Sequence, residues 1–183
     1  MLRAIEDYQG DPSVIYALKL TPHVFQRPGE IRQMEWGELD FDKAVWTIPT
    51  AKMKMRQPHF VPLSRQALAI LGEMRLLSGG ARFVFPSVRT SKRPISNNSI
   101  NAALRRMGYT KDQMTAHGFR TTASSLLNES GKWNPDAIER ALAHMVAGSV
   151  RRIYNQSAYW SERVDMAQWW SDYLDGLQAG VSG

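Results

Sequence analysis

The chain has 183 residues, 43% of them hydrophobic and 22% charged, with six Trp, six Tyr and six Phe; this suits one folded domain with a sizeable core and excludes disorder and collagen-like repeats. It contains no Cys, so disulfide frameworks, Cys-ligated zinc, iron–sulfur clusters and thiol nucleophiles are excluded together. No apolar run approaches the roughly 18 residues of a membrane helix, and Met1–Gly10 has no signal-peptide core. With 23 Lys and Arg against 17 Asp and Glu, the net charge of +6 points to a polyanionic partner for a protein of the cytosol.

The first residues, Met1 to Gly10, are polar and start abruptly, which suggests a piece of a longer protein. Pro28 opens a short helix that places Ile31 and Met34 on one face. From Glu38 to Leu63 the β-branched and aromatic residues Val45, Trp46, Ile48, Phe60 and Val61 predict two or three antiparallel strands, the last two joined by a basic tip at Lys52–Arg56. Ser64 caps an amphipathic helix carrying Ala67, Leu68, Leu71, Met74 and Leu77, stopped by Gly79 and Gly80. Ser87 to Pro94 reads as a basic, polar loop. The second half reads as helices. One runs from Ser96 to Gly108, one from about His117 to Gly131, one from an Asn134 cap to near His144, and one from Val150 to Gln156. A last helix places Val164, Ala167, Trp170, Leu174 and Leu177 on an apolar stripe. The fold class is therefore α+β, mainly helical, with a small antiparallel sheet on a helical core.

Familiar enzyme signatures are missing. There is no GxxxxGK[ST], GxGxxG after a strand, GxSxG or HExxH, and none of His23, His59, His117 and His144 is paired at helical metal-site spacing. What remains is a scattered set of cations and one tyrosine. His117 and Arg120, three residues apart, can face one ligand, or can be a half-buried His and a bridging Arg. His144 ends an apolar helix, where a protonated imidazole suits the dipole. Tyr154 sits in the basic segment Arg151–Asn155, where a tyrosine can equally be a core anchor. Lys52, Lys54 and Arg56 can simply solvate a hairpin tip.

Taken together, RPGEIRQM at 27–34, a basic hairpin ending in VPLS at 61–64, HGFRTTASSLLNE at 117–129, WNPDAIERALAH at 133–144 and VRRIYNQSAYWSER at 150–163 resemble the catalytic domain of tyrosine recombinases, the phage-integrase family. The resemblance spans Thr21 to Leu177. The MKM of the hairpin and the YNQSAY and WW segments resemble integrases of satellite phages and genomic islands. It implies the tyrosine-recombinase catalytic fold over residues 1–183, as the C-terminal part of a longer integrase whose arm-binding and core-binding domains are absent from this chain. It also implies catalytic roles for Arg27, Lys54, His117, Arg120 and His144, with Tyr154 as nucleophile and no cofactor or metal. Lys52 competes with Lys54, and Tyr159 with Tyr154, although five residues turn Tyr159 about 140° around a helix. Glu30 would orient the helix start or hold an arginine, and Trp169 and Trp170 would be core or subunit-contact residues. His23–Gln26 departs from the family's usual Thr-Gly-aliphatic turn, which could shift how Arg27 is presented.

These residue types suit metal-free phosphoryl transfer. Two arginines can each offer a planar fork to the nonbridging oxygens, a geometry Lys cannot copy. A tyrosine nucleophile yields a 3′-phosphotyrosyl bond that conserves the phosphodiester for rejoining, and an ammonium can protonate the leaving 5′-hydroxyl. The division of acid–base work among Lys54, His117 and His144 stays open at this point. The expected function is site-specific DNA recombination in the bacterial cytoplasm. Its partners are double-stranded attachment-site DNA, other recombinase protomers and accessory DNA-bending proteins, with no membrane. Type IB topoisomerase-like relaxation and a non-catalytic DNA-binding module are the alternatives.

Overall fold

In a computed structural model the described residues are 1–53, 57–143 and 159–180. Two helices precede the region where the sequence announces structure: α1 (Leu2–Glu6) and α2 (Pro12–Leu20), the latter opened by Pro12 and by the Asp11 carboxylate, which accepts from the Ser13 N–H at 3.0 Å. The predicted short helix is α3 (Pro28–Arg32), and a single 3₁₀ turn at Trp36–Glu38 leads into the sheet. Strands β1 (Leu39–Asp40), β2 (Val45–Ile48) and β3 (His59–Pro62) form an antiparallel sheet in the order β1-β2-β3, with Trp46 opposite Val61 and Ile48 opposite His59. Alternation sends Trp46, Ile48 and Val61 into the core, and the Trp46 indole finds the Glu38 carboxylate at 3.0 Å.

Ser64 caps α4 (Arg65–Ser78) through the Ala67 N–H at 3.2 Å, as its sequence predicts. The buried stripe of α4 is Ala67, Leu71, Met74 and Ser78, so Leu77 falls off it and is exposed. The segment expected as a loop over Ser87–Pro94 is instead nearly all of a two-stranded ribbon, β4 (Pro86–Ser87) and β5 (Thr90–Pro94). Ser87 pairs with Thr90 across a two-residue Val88–Arg89 turn that carries none of the Gly or Asn signals of such turns. Helices α5 (Ser99–Arg106), α6 (Ala116–Glu129), α7 (Pro135–Ala141) and α8 (Trp160–Ala179) complete the described fold. Helix α6 starts on a Thr115 cap and α7 on the Asn134 cap. Helix α7 ends at Ala141, earlier than His144; Val150–Gln156 lies outside the described residues.

Two apolar clusters result. The first gathers the sheet, α2, α4 and α5 around Leu18, Met34, Trp46, Leu71 and Phe85. The second joins α6, α7 and α8 around Leu127, Ile138, Met166 and Trp170, with Phe25 from the segment before α3. Helix α6 serves both, giving Ala116 and Phe119 to the first and Ala123 and Leu127 to the second. The α8 stripe is thus buried within the domain at Ala167, Trp170 and Leu174, whereas Val164 and Leu177 at its ends stay exposed. Among the described residues no helix is long and apolar enough to cross a membrane.

Candidate active site

Arg27 stands at the N-cap of α3, in extended conformation just before Pro28. An arginine cannot accept a hydrogen bond, so only the reverse half of a capping box forms: Glu30 takes the Arg27 backbone N–H at 2.9 Å with one oxygen and its guanidinium at 3.0 Å with the other. Glu30 is buried, while the Arg27 side chain keeps 34% of its surface exposed. Glu30 therefore both orients the helix start and holds the arginine, and the free edge of Arg27 faces solvent.

Arg120, by contrast, is interior. It sits on α6 with 4% exposure, donating through Nη1 to the Phe25 carbonyl at 2.5 Å and through Nη2 to the Leu142 carbonyl. It thus ties α6 to the segment before Arg27 and to the turn after α7. Burial first, and then the neighbouring positive charge of Arg27, lower its pKa to about 10. The structure therefore brings Arg27 and Arg120 to the same region, and two of the five donors of Arg120 are committed to carbonyls of the described residues. His117, one turn before Arg120, is on the exposed side of the first turn of α6.

The departing segment His23–Gln26 has a structural explanation. Val24 and Phe25 are buried, the His23 ring meets the Ser171 hydroxyl at 2.9 Å, and Gln26 Nε2 donates to the Ala141 carbonyl at 2.9 Å. The Phe25 carbonyl is what Arg120 grips, so this segment fixes the position of Arg27 relative to Arg120. Trp170 donates to the Pro22 carbonyl at 2.8 Å and packs against Phe25, while Trp169 stacks on Tyr173 and meets Trp133 edge-on. Trp170 is a core residue, and Trp169 is half-buried against the same cluster.

Lys52 is fully engaged, pairing with Glu35 at 2.8 Å and with Glu38, and donating to the Gln33 carbonyl at 2.7 Å. This competitor of Lys54 is a structural strut at the base of the hairpin. Lys54, His144 and Tyr154 lie outside the described residues. Tyr159 is described at the left-handed residue that opens α8 (φ 60°), its ring centroid 5.7 Å from the Arg140 guanidinium.

Two groups near this centre were invisible as motifs. His59, at the start of β3, has a buried Nε2 with no hydrogen-bond partner among the described residues, and its pKa falls to about 3. Burial is the main cause; the charges of Arg163, Arg120 and Arg27 push the same way, against a hydrogen bond with the Ala141 backbone. Arg163 on α8 is buried, donates to the Phe60 carbonyl and lies 5.3 Å over the Trp160 ring. Only the strand alternation that turns His59 inward, and the position of Arg163 beside buried Met166, could have signalled them. Burial, with the charges of Arg163, Arg120 and Arg27 acting in the same direction, keeps the His59 imidazole neutral.

The chain matches the model of the phage integrase family over residues 10–160. It belongs to that family. It is 42% identical to the integrase of Enterobacteria phage P4 over 188 residues, covering 95% of this chain and 43% of that protein. It is 46% identical to the prophage integrase IntA of Escherichia coli K12 over 154 residues, covering 84% of this chain and 37% of the other. The chain spans less than half the length of these relatives. Among solved structures, the integrase of mycobacterium phage Brujita superposes with a TM-score of 0.67 at 16% identity, over 91% of this chain and 54% of that one. XerA recombinase superposes with a TM-score of 0.61 at 18% identity, over 79% and 51%. The expected tyrosine-recombinase catalytic fold is thus the observed one.

Proposed function

We propose that residues 1–183 form the catalytic domain of a site-specific DNA recombinase that cuts and rejoins duplex DNA through Tyr154. The observation that carries this reading is the Arg27–Arg120 pair, one edge open to solvent and the other anchored in the interior, in a chain of the phage integrase family. The Tyr154 phenolic oxygen attacks phosphorus and the P–O5′ bond breaks; the phenolic proton goes to a base, and the departing 5′-oxygen takes a proton from an acid. Arg27 and Arg120 neutralise the charge that builds on the nonbridging oxygens. Lys54 is assigned as acid to the leaving 5′-oxygen. With Lys52 held by Glu35 and Glu38, it is the hairpin lysine left for the task. His117 and His144 are assigned to proton transfer and phosphate binding. Rejoining is the reverse attack by a 5′-hydroxyl, which on a partner duplex gives strand exchange. The integrase names of the relatives support exchange over topoisomerase-like relaxation. Attachment-site DNA, further protomers and accessory DNA-bending proteins are the proposed partners, in a bacterial cytoplasm.

The test is a nicked suicide duplex bearing the attachment core of the element that encodes the chain. Wild type should give a denaturant-resistant protein–DNA adduct and Tyr154→Phe none, with Tyr159→Phe as a matched control that keeps the adduct. An adduct that survives Tyr154→Phe and disappears in Tyr159→Phe would move the nucleophile to Tyr159. No adduct from wild type would overturn the reading.

A further inference from the structure

The positive charge of this chain is concentrated in one stretch. Residues 74–111 contain eight Lys and Arg and no Asp or Glu, whereas the rest of the chain has 15 Lys and Arg against 17 Asp and Glu. Half of those eight cations have work inside the fold. Arg75 lies 5.1 Å over the Phe41 ring, Arg82 pairs with Glu35 at 2.8 Å, Arg105 donates to the Met114 carbonyl and Arg106 to the Tyr8 hydroxyl. Arg89, Lys92 and Arg93 are different. All three are exposed, and none has a carboxylate partner among the described residues, in contrast to the surface cations Lys19, Lys43 and Arg65.

These three stand on the β4–β5 ribbon, whose two-residue tip also carries Val88, 81% exposed. Strand alternation puts Lys92 on one side of β5 and Arg93 on the other, and both sides are open to solvent. A two-stranded ribbon is narrow enough for the major groove of B-DNA, where arginine forks recognise guanine and apolar groups meet the thymine methyl. The ribbon is also fixed to the candidate site. Arg32 donates to the Ile95 carbonyl at 3.1 Å, and Ile95 in turn donates to the Phe85 carbonyl at 2.9 Å. Arg32 ends the helix that Arg27 begins, so its backbone lies about 7.5 Å along that helix from Arg27, and its side chain carries on to the root of the ribbon. The five residues of β5 reach about 17 Å further, which keeps the tip within one turn of a duplex whose phosphate sits at Arg27.

We infer that the β4–β5 ribbon enters the major groove beside the cleaved phosphodiester and discriminates its sequence. Arg89 and Arg93 donate to base edges, Lys92 donates to a phosphate, and Val88 contacts a thymine methyl. This rests on the DNA reaction proposed above and adds to it a place where the target site is read.

The experiment selects duplexes from a randomised pool with the whole chain. Wild type should enrich a motif. A variant with Arg89→Ala, Lys92→Ala and Arg93→Ala should lose base preference at one contiguous block beside the cut, while preference elsewhere persists. Arg89→Lys with Arg93→Lys separates charge from reading. It should keep the salt dependence of binding, to which each phosphate contact contributes about −0.9 in log–log slope, yet lose the same block of preference. Enrichment of the wild-type motif by the triple-alanine variant, or a uniform affinity loss with no change of motif, would overturn the role of the ribbon and leave the recombinase reading standing. Failure of wild type to enrich any duplex would overturn both.

Discussion

Lysine substitution at the two arginines should separate chemistry from architecture. Arg27→Lys and Arg120→Lys each keep a positive charge and lose the planar fork, so each should slow adduct formation by about 10²–10³, the usual cost of one preorganised donor. Their stabilities should differ. Arg120 holds two carbonyls of distant segments in the interior, and a single ammonium cannot span both positions. At least one buried carbonyl then loses its donor, at about 1–3 kcal/mol. For a chain of this length, about 2 kcal/mol corresponds to a fall of about 4–8 °C in Tm. Arg27 is one-third exposed and its partner Glu30 can still be reached by an ammonium, while the backbone half of that contact is untouched. Arg27→Lys should therefore cost below about 1 kcal/mol. The assays are scanning calorimetry and single-turnover cleavage of a suicide duplex on the same preparations. An Arg120→Lys protein as stable as wild type would refute the claim that this guanidinium fastens the Phe25 and Leu142 segments. Equal losses of duplex affinity and cleavage would mark both arginines as ordinary phosphate contacts.

The hairpin lysines and His59 give two further expectations. Lys52→Met leaves Glu38 without its ammonium and Glu35 with Arg82 alone, so it should lower stability by about 1–3 kcal/mol yet leave the adduct detectable on a suicide substrate, whereas Lys54→Ala should nearly abolish cleavage with unchanged stability; the reverse pattern would exchange their roles. His59 is held neutral in the folded state, with a pKa of about 3 against an ordinary 6.5, so the unfolded chain binds the extra proton between those values. The stability it contributes is full above pH 6.5 and declines as pH falls toward 3, with a limiting slope of about 1.4 kcal/mol per pH unit. Urea denaturation at a series of pH values should show a shallower acid decline in His59→Gln, and an identical decline would place the acid-labile group elsewhere.

What could be read from the sequence was what short-range chemistry decides. The Ser64 and Asn134 caps, the Gly79 stop and the alternation of Trp46, Ile48 and Val61 all declare themselves within a few residues. The β4–β5 ribbon did not, because its Val88–Arg89 turn lacks the usual turn residues and its pairing is completed by Pro94 reaching back to Pro86. The pairing of Arg27 with Glu30 was legible from their spacing. The burial of Arg120 was not, since its partners are 95 and 22 residues away in the chain. The same holds for His59, whose environment is made by arginines from three other parts of the chain. The engagement of Lys52 was not legible either, because it depends on Glu35 and Glu38, acidic residues before the sheet that no hairpin pattern includes.

The double grip of Arg120 also bears on safety in the cell. In the reaction proposed above the charge is received by arginine side chains, so the control that withholding an external ion would give has to come from the fold itself. Here one of its assigned cations is set in place only after the stretch before α3, helix α6 and the end of α7 have come together, which happens when both apolar clusters close. A nascent or partly unfolded chain therefore has no aligned arginine pair, and the strand-cutting capacity proposed above would arrive together with the finished tertiary structure rather than ahead of it.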